Sequence, residues 1–164
     1  GEWMATLGLV SGVAGFAVGV PVMQRLQQRI GLRMPIYVLS VCLLLQGLIA
    51  LAMGFARDVP QLYILWGVQA TIGMIAAMAI PTILQNMAPV HLRARIFAIS
   101  SFVGMAGAIS YVAVGFISDR LTDTVTYPLL YSASALGFLG LLLGALLFWR
   151  SQALYESVAR ETNS

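Results

Sequence analysis

The sequence lacks most of the residues from which catalytic and metal sites are built. It has no lysine, one cysteine and one histidine, and charged residues make up only 9% of its 164 positions. Soluble domains carry about 25% charged residues. Nucleophilic catalysis needs an activated nucleophile beside a base, and metal sites need clustered ligands, but His91 has no cysteine or carboxylate nearby in the sequence. We therefore expect no enzymatic activity, no catalytic residue, no metal and no cofactor.

In place of charge, the chain has five long apolar runs that contain no Asp, Glu, Lys, Arg or His. They span 3–24, 35–56, 62–85, 96–118 and 127–149. About 20 helical residues cross a hydrocarbon core of about 30 Å. Inside lipid, a helix satisfies its own backbone hydrogen bonds. The pattern predicts an all-α integral membrane protein, with five transmembrane helices within residues 1–150 and a polar tail at 151–164.

Proline and glycine mark the ends and the contact faces of these predicted helices. Pro35, Pro60 and Pro128 stand near helix starts, where the missing N–H costs nothing. Small residues spaced four apart let helices approach closely in a bilayer, where lipid tails are as apolar as leucine. This predicts packing positions, although faces that slide during a conformational cycle would have the same pattern. The candidates are Gly8, Gly12, Gly15, Gly19, Gly104, Gly107, Gly140 and Gly144.

Arginine supplies all nine basic residues, and its distribution predicts the orientation. Seven arginines fall in alternate connections and the tail, whereas Arg57 and Arg120 fall on the other side. Because short cytoplasmic loops carry the excess of basic residues, we expect a cytoplasmic C-terminus, with the bacterial inner membrane as the default location. Arginines at span ends indicate contact with the lipid bilayer and not with nucleic acid. Since the chain begins with Gly1, we also expect that part of a longer protein precedes it.

Three segments resemble the major facilitator superfamily. Residues 24–33 are similar to the loop after that family's eighth helix, Gly-x-x-x-Asp-Arg-x-Gly-Arg. Arg29 and Gly31 match it and Arg33 supplies a further arginine, but Gln28 occupies the acidic position and Gln24 the leading glycine. Residues 89–98, with Arg93 and Arg95, resemble the loop entering the eleventh helix. Residues 104–121, including Asp119 and Arg120, resemble that helix and its outer end.

The resemblance, closest to spinster-like and related lipid or organic-anion carriers, implies a fold and a function. The five spans would be helices eight to twelve of a twelve-helix transporter, with the N-terminal half as the missing partner. The chain would then belong to a secondary transporter that moves a small organic solute or lipid-like molecule by alternating access. The implied substrate contacts are Ser11, Gln69, Thr71, Ser110 and Tyr111. The implied loop or gating residues are Arg25, Arg29, Gly31, Arg33, Arg93, Arg95, Asp119 and Arg120.

Each of these roles has a structural alternative. Gln69 could bind substrate or could hydrogen-bond a neighbouring helix, because an unpaired amide in hydrocarbon costs a few kcal/mol. The arginines could brace a closed state or only set topology and touch anionic lipid. The whole chain could instead be a non-transporting membrane scaffold or assembly subunit. No Asp, Glu, Lys, Arg or His lies within a predicted span, so a proton-coupling group would lie outside this chain.

Overall fold

The chain is all-helical throughout the part that the structure describes. The computed structural model describes residues 2–89, 92–96, 98–99, 108–121 and 127–163. Within these ranges there is no β-strand, which confirms the predicted all-α class. The helices are α1 (Glu2–Ile30), a 3₁₀ turn (Gly31–Arg33), α2 (Met34–Gly54), α3 (Val59–Met87), α4 (Ala108–Leu121), α5 (Pro128–Arg150) and α6 (Gln152–Asn163).

Three helical segments are long and apolar enough to cross a membrane, which confirms a membrane-embedded protein. They are Thr6–Gly54, Val59–Met87 and Pro128–Arg150. The first segment contains most of α1 and all of α2. Between these two helices Gly31 adopts a positive φ of 66°, which allows the chain to turn. The predicted fourth span, 96–118, is described only in part, so the count of five spans stays a prediction.

Helices α1 and α3 run parallel to each other. Residues later in α1 contact residues later in α3: Gly8 lies beside Trp66, and Gly15 lies beside Thr71 and Met74. Two parallel helices joined through α2 require α2 to run back between them. The segment Thr6–Gly54 therefore makes two passes in opposite directions.

Helices α2 and α5 form a long antiparallel seam. Gly54 faces Ser134 at one end of it, and Gly144 faces Leu43 further along. At the other end the rings of Tyr37 and Trp149 lie 5.6 Å apart at an angle of 46°. This seam fixes α5 in the same direction as α1 and α3.

The helix directions gather most of the described arginines at one end of the bundle. This arginine end holds the last turns of α1, α3 and α5, the 3₁₀ turn, the first turn of α2, and α6. The opposite end holds Phe55 and Leu121, which line one pocket with Tyr131. The arginines that the sequence places in alternate connections and the tail thus lie at the same end of the folded chain.

Large apolar side chains cover the outside of the bundle. Leu9, Val112 and Leu147 are 71%, 73% and 68% exposed. Water would penalise so much contiguous apolar surface, whereas lipid tails do not. The most buried residues instead cluster at the arginine end, where Met34 and Leu39 of α2 meet Ala79 of α3 and Tyr155 of α6.

The observed ends differ from the predicted ones in two places. Helix α1 continues past its predicted end at residue 24 to Ile30, so Arg25 and Arg29 lie on its last turns and not in a loop. The tail is helical from Gln152 to Asn163 and packs against the bundle. The prolines lie where expected, near the first residues of α2, α3 and α5.

Candidate functional site

Two of the predicted substrate contacts lie in the seam between α1 and α3. Ser11 is buried, and its Oγ lies 3.5 Å from the position that a Cβ on Gly67 would take. The Thr71 Oγ1 donates a hydrogen bond of 2.9 Å to the Gly67 carbonyl oxygen. Both hydroxyls therefore lie near one stretch of α3 backbone, and the Thr71 hydroxyl is satisfied within its own helix.

The predicted contact Gln69 lies on a different stripe of α3. It precedes Gly73 by four residues and Ala76 by seven, so the three share one face. That face is turned toward α2, because the Gln46 Oε1 lies 3.8 Å from a Cβ built on Gly73. Gln69 is partly buried there. The side chains of the last two predicted contacts, Ser110 and Tyr111, lie outside the described residues.

The predicted packing glycines separate into three groups. A Cβ on Gly15 would lie 2.6 Å from the Met74 Cβ and 2.9 Å from the Thr71 carbonyl oxygen, and one on Gly19 would lie 2.5 Å from the Met78 Cε. Gly8 and Gly144 are in ordinary van der Waals contact. Gly12 and Gly140 have no heavy atom within 4 Å of such a Cβ among the described residues. Gly104 and Gly107 lie outside the described residues.

At the arginine end, one carboxylate joins the α1–α2 turn to the C-terminal helix. The Arg33 Nε donates to one oxygen of Glu156, and the Arg160 Nη2 donates to the other. These two hydrogen bonds, first that of Arg33, lower the pKa of the Glu156 carboxyl group below its ordinary value. Arg160 follows Glu156 by four residues, so both side chains lie on the same face of α6, one turn apart.

A second polar contact attaches α6 to the end of α3. The Asn86 Nδ2 donates a hydrogen bond of 2.9 Å to the Tyr155 hydroxyl oxygen. Burial raises the pKa of Tyr155, and this hydrogen bond opposes the rise with a smaller effect. Tyr155 is 1% exposed, and Ala159, one turn later on α6, is fully buried. Helix α6 therefore joins the α1–α2 turn and the start of α2 to the end of α3.

Sequence reasoning missed Asn86, Tyr155 and Glu156. A signal for them was present, since Tyr155 and Ala159 are four residues apart, as are Glu156 and Arg160. This spacing is typical of an amphipathic helix with one apolar and one charged stripe. This spacing does not predict the partners of these residues, which are Asn86 on α3 and Arg33 in the 3₁₀ turn.

The remaining predicted gating residues are distributed over both ends. The Arg93 Nε donates a hydrogen bond of 3.2 Å to the Ala88 carbonyl oxygen, which closes the end of α3. Arg95 is exposed. At the opposite end Asp119 is exposed and the Arg120 guanidinium lies 4.9 Å from the centre of the Phe116 ring. Within the described ranges, no three His, Cys, Asp or Glu side chains are grouped as metal ligands.

Comparison with known proteins adds no relative to this geometry. No family model, no curated protein and no solved structure matches the chain.

Proposed function

We propose that this chain forms helices eight to twelve of a major facilitator transporter that moves a small organic solute or lipid-like molecule by alternating access. In this assignment α1, α2 and α3 are helices eight, nine and ten, and α4 and α5 are parts of helices eleven and twelve. The N-terminal half of the transporter completes the solute pathway. The arginine end faces the cytoplasm, and the chain itself catalyses no reaction.

The observation that carries this proposal is the direct packing of α2 against α5. In this fold each six-helix half consists of two inverted three-helix repeats. Under the assignment, α2 and α5 are the third helices of the two repeats. Alternation across a membrane would by itself make them antiparallel, but it would not make them neighbours. If two inverted repeats are related by an axis that passes between their third helices, those helices are antiparallel neighbours. The seam from Gly54–Ser134 to Tyr37–Trp149 agrees with this expectation.

The distribution of polar groups agrees with the proposal in a second respect. Gln69 and Thr71 lie within about one turn of the middle of α3, and Ser11 packs beside the nearby Gly67. Solute sites of secondary transporters lie near the bilayer midplane. The two seams that hold these residues flank α3 on either side, which makes α3 the central helix of the proposed pathway.

Thiol accessibility in the longer parent protein tests the proposal without knowledge of the solute. Cys42 is the one cysteine of this chain and is buried, so Cys42→Ala, together with replacement of any cysteine in the rest of the parent, gives a background without reactive thiols. In that background Gln69→Cys is compared with Val68→Cys, whose native side chain is exposed toward the proposed lipid surface. A membrane-impermeant maleimide is added to sealed vesicles from either side.

We expect Gln69→Cys to react from both sides, with labelling from one side reducing labelling from the other, because a water-filled pathway opens alternately. Val68→Cys should react from neither side, because a thiol in hydrocarbon does not ionise. If Gln69→Cys is also unreactive from both sides, the α2–α3 seam is permanently packed. That result would refute the transport proposal and favour a membrane scaffold.

A further inference from the structure

A groove in the membrane-facing surface opens between α1 and α2. Its walls are Val22 and Leu26 of α1 and Val41 and Leu45 of α2, and Ile72 of α3 forms part of its floor. The groove encloses about 190 Å³ and its lining is apolar. Val22 and Leu45 are each about two-fifths exposed, so the groove is open along its length.

Two arginines that have no carboxylate partner among the described residues flank the arginine end of this groove. Arg25 follows Val22 by three residues and Arg29 follows Leu26 by three, so both continue the stripe of α1 that lines the groove. Both are exposed. Among the described residues, the ion pairs at this end use Glu156 with Arg33 and Arg160, and neither Arg25 nor Arg29 takes part.

The dimensions place these features at matching depths in one leaflet. From Tyr37 to Leu45 helix α2 rises about 12 Å, close to the roughly 15 Å of hydrocarbon in a single leaflet. Tyr37 packs against Trp149 at the arginine end of the groove. Such aromatic residues favour the level of the lipid headgroups. The apolar groove thus spans the acyl region. Arg29 lies one turn past Leu26, at the headgroup level, and the long side chain of Arg25 can extend to the same level.

We propose that this groove binds one anionic phospholipid of the leaflet at the arginine end. An acyl chain lies in the groove between α1 and α2, and the guanidinium groups of Arg25 and Arg29 bind the phosphate. A zwitterionic lipid offers the same chain but no net charge, so the site selects phosphatidylglycerol over phosphatidylcholine. The proposal does not depend on the transport function or on which side of the membrane the arginine end faces.

Native mass spectrometry of the detergent-purified chain tests this directly. The chain is titrated with equimolar phosphatidylglycerol and phosphatidylcholine of identical acyl chains, and retained lipids are counted. We expect one phosphatidylglycerol to be retained in preference. Each basic residue near a charged lipid surface contributes about fivefold in affinity, so Arg25→Gln with Arg29→Gln should reduce the preference more than tenfold. Arg57→Gln at the opposite end should leave it unchanged.

A second pair of variants tests the groove itself. Val22→Phe fills the groove from its rim, whereas Val20→Phe adds the same volume to an exposed position that does not line it. Retention should fall with Val22→Phe and persist with Val20→Phe. Unchanged preference in the double arginine variant, or equal retention in the two phenylalanine variants, would overturn the proposal. So would equal competition by glycerophosphoglycerol, a headgroup without acyl chains, since that would leave no role for the groove.

Discussion

Gly15 of α1 lies directly against the backbone of α3, and this contact gives the sharpest prediction about stability. An alanine there would place its Cβ 2.6 Å from the Met74 Cβ and 2.9 Å from the Thr71 carbonyl oxygen. Carbon atoms in contact normally lie about 3.5–4.0 Å apart. Neither neighbouring atom is the flexible end of a side chain, so α1 must move away from α3 by about 1 Å.

The magnitude follows from a comparison with Gly12, one turn earlier on α1. Alanine gains up to about 1 kcal/mol over glycine in helix propensity at either position. Overpacking typically costs about 1–3 kcal/mol, and it applies only to Gly15, because no atom lies within 4 Å of a Cβ on Gly12 among the described residues. Since the propensity term is common to both variants, Gly15→Ala should be less stable than Gly12→Ala by about 1–3 kcal/mol.

The protein supplies its own probe for this measurement. Cys42 is the sole cysteine, is 6% exposed and lies in the core between α2 and α3. A maleimide dye that fluoresces on reaction with thiols therefore reports unfolding in detergent. At about 2–4 °C per kcal/mol, Gly15→Ala should melt several degrees below Gly12→Ala. Gly19→Ala should fall between them, because its closest neighbour is the mobile Met78 Cε. Equal melting temperatures for Gly15→Ala and Gly12→Ala would refute the close parallel packing of α1 on α3.

Three further predictions concern the docking of α6. Glu156→Gln removes the carboxylate shared by Arg33 and Arg160, and we expect faster amide hydrogen exchange across α6 with little change in α2; unchanged exchange in α6 would contradict a docking role for this carboxylate. The pKa of Glu156 is lowered in the folded protein, so the stabilisation by its carboxylate is complete above the ordinary pKa of 4.5 and is lost as the pH falls through the lowered pKa. Protection of α6 from hydrogen exchange should therefore be constant from pH 7 to 5 and decline below pH 5. A decline near pH 6 would point to another group. Tyr155→Phe keeps the buried ring but leaves Asn86 without its partner, which should cost about 1 kcal/mol in α6 opening by the same exchange measurement; Tyr155→Ala, which also empties the core position, should cost more, and equal effects would mean that the ring contributes nothing.

Local sequence determined the positions of the helices because the membrane imposes a single length requirement. Runs of apolar residues had to match the hydrocarbon thickness, and proline had to avoid helix interiors or bend them. The observed helices α2, α3 and α5 therefore begin and end within three residues of the predicted spans. Helix α1 is the exception, since Gln and Arg residues at its end are compatible with a helix and a loop alike, and only Gly31 stops it.

Tertiary structure decided which of these residues work together, because identical local patterns meet different neighbours. Gly12 and Gly15 belong to the same glycine-rich face in sequence, yet only Gly15 lies against the backbone of α3. The pairing of Arg33 with Glu156 joins residues 123 positions apart, and no spacing rule reaches that far. The sequence alone determined the helical segments and the division of the arginines, both of which depend on each segment's contact with lipid and water. The parallel α1–α3 seam, the α2–α5 seam and the docking of α6 depend on contacts between segments, which only the folded chain brings together.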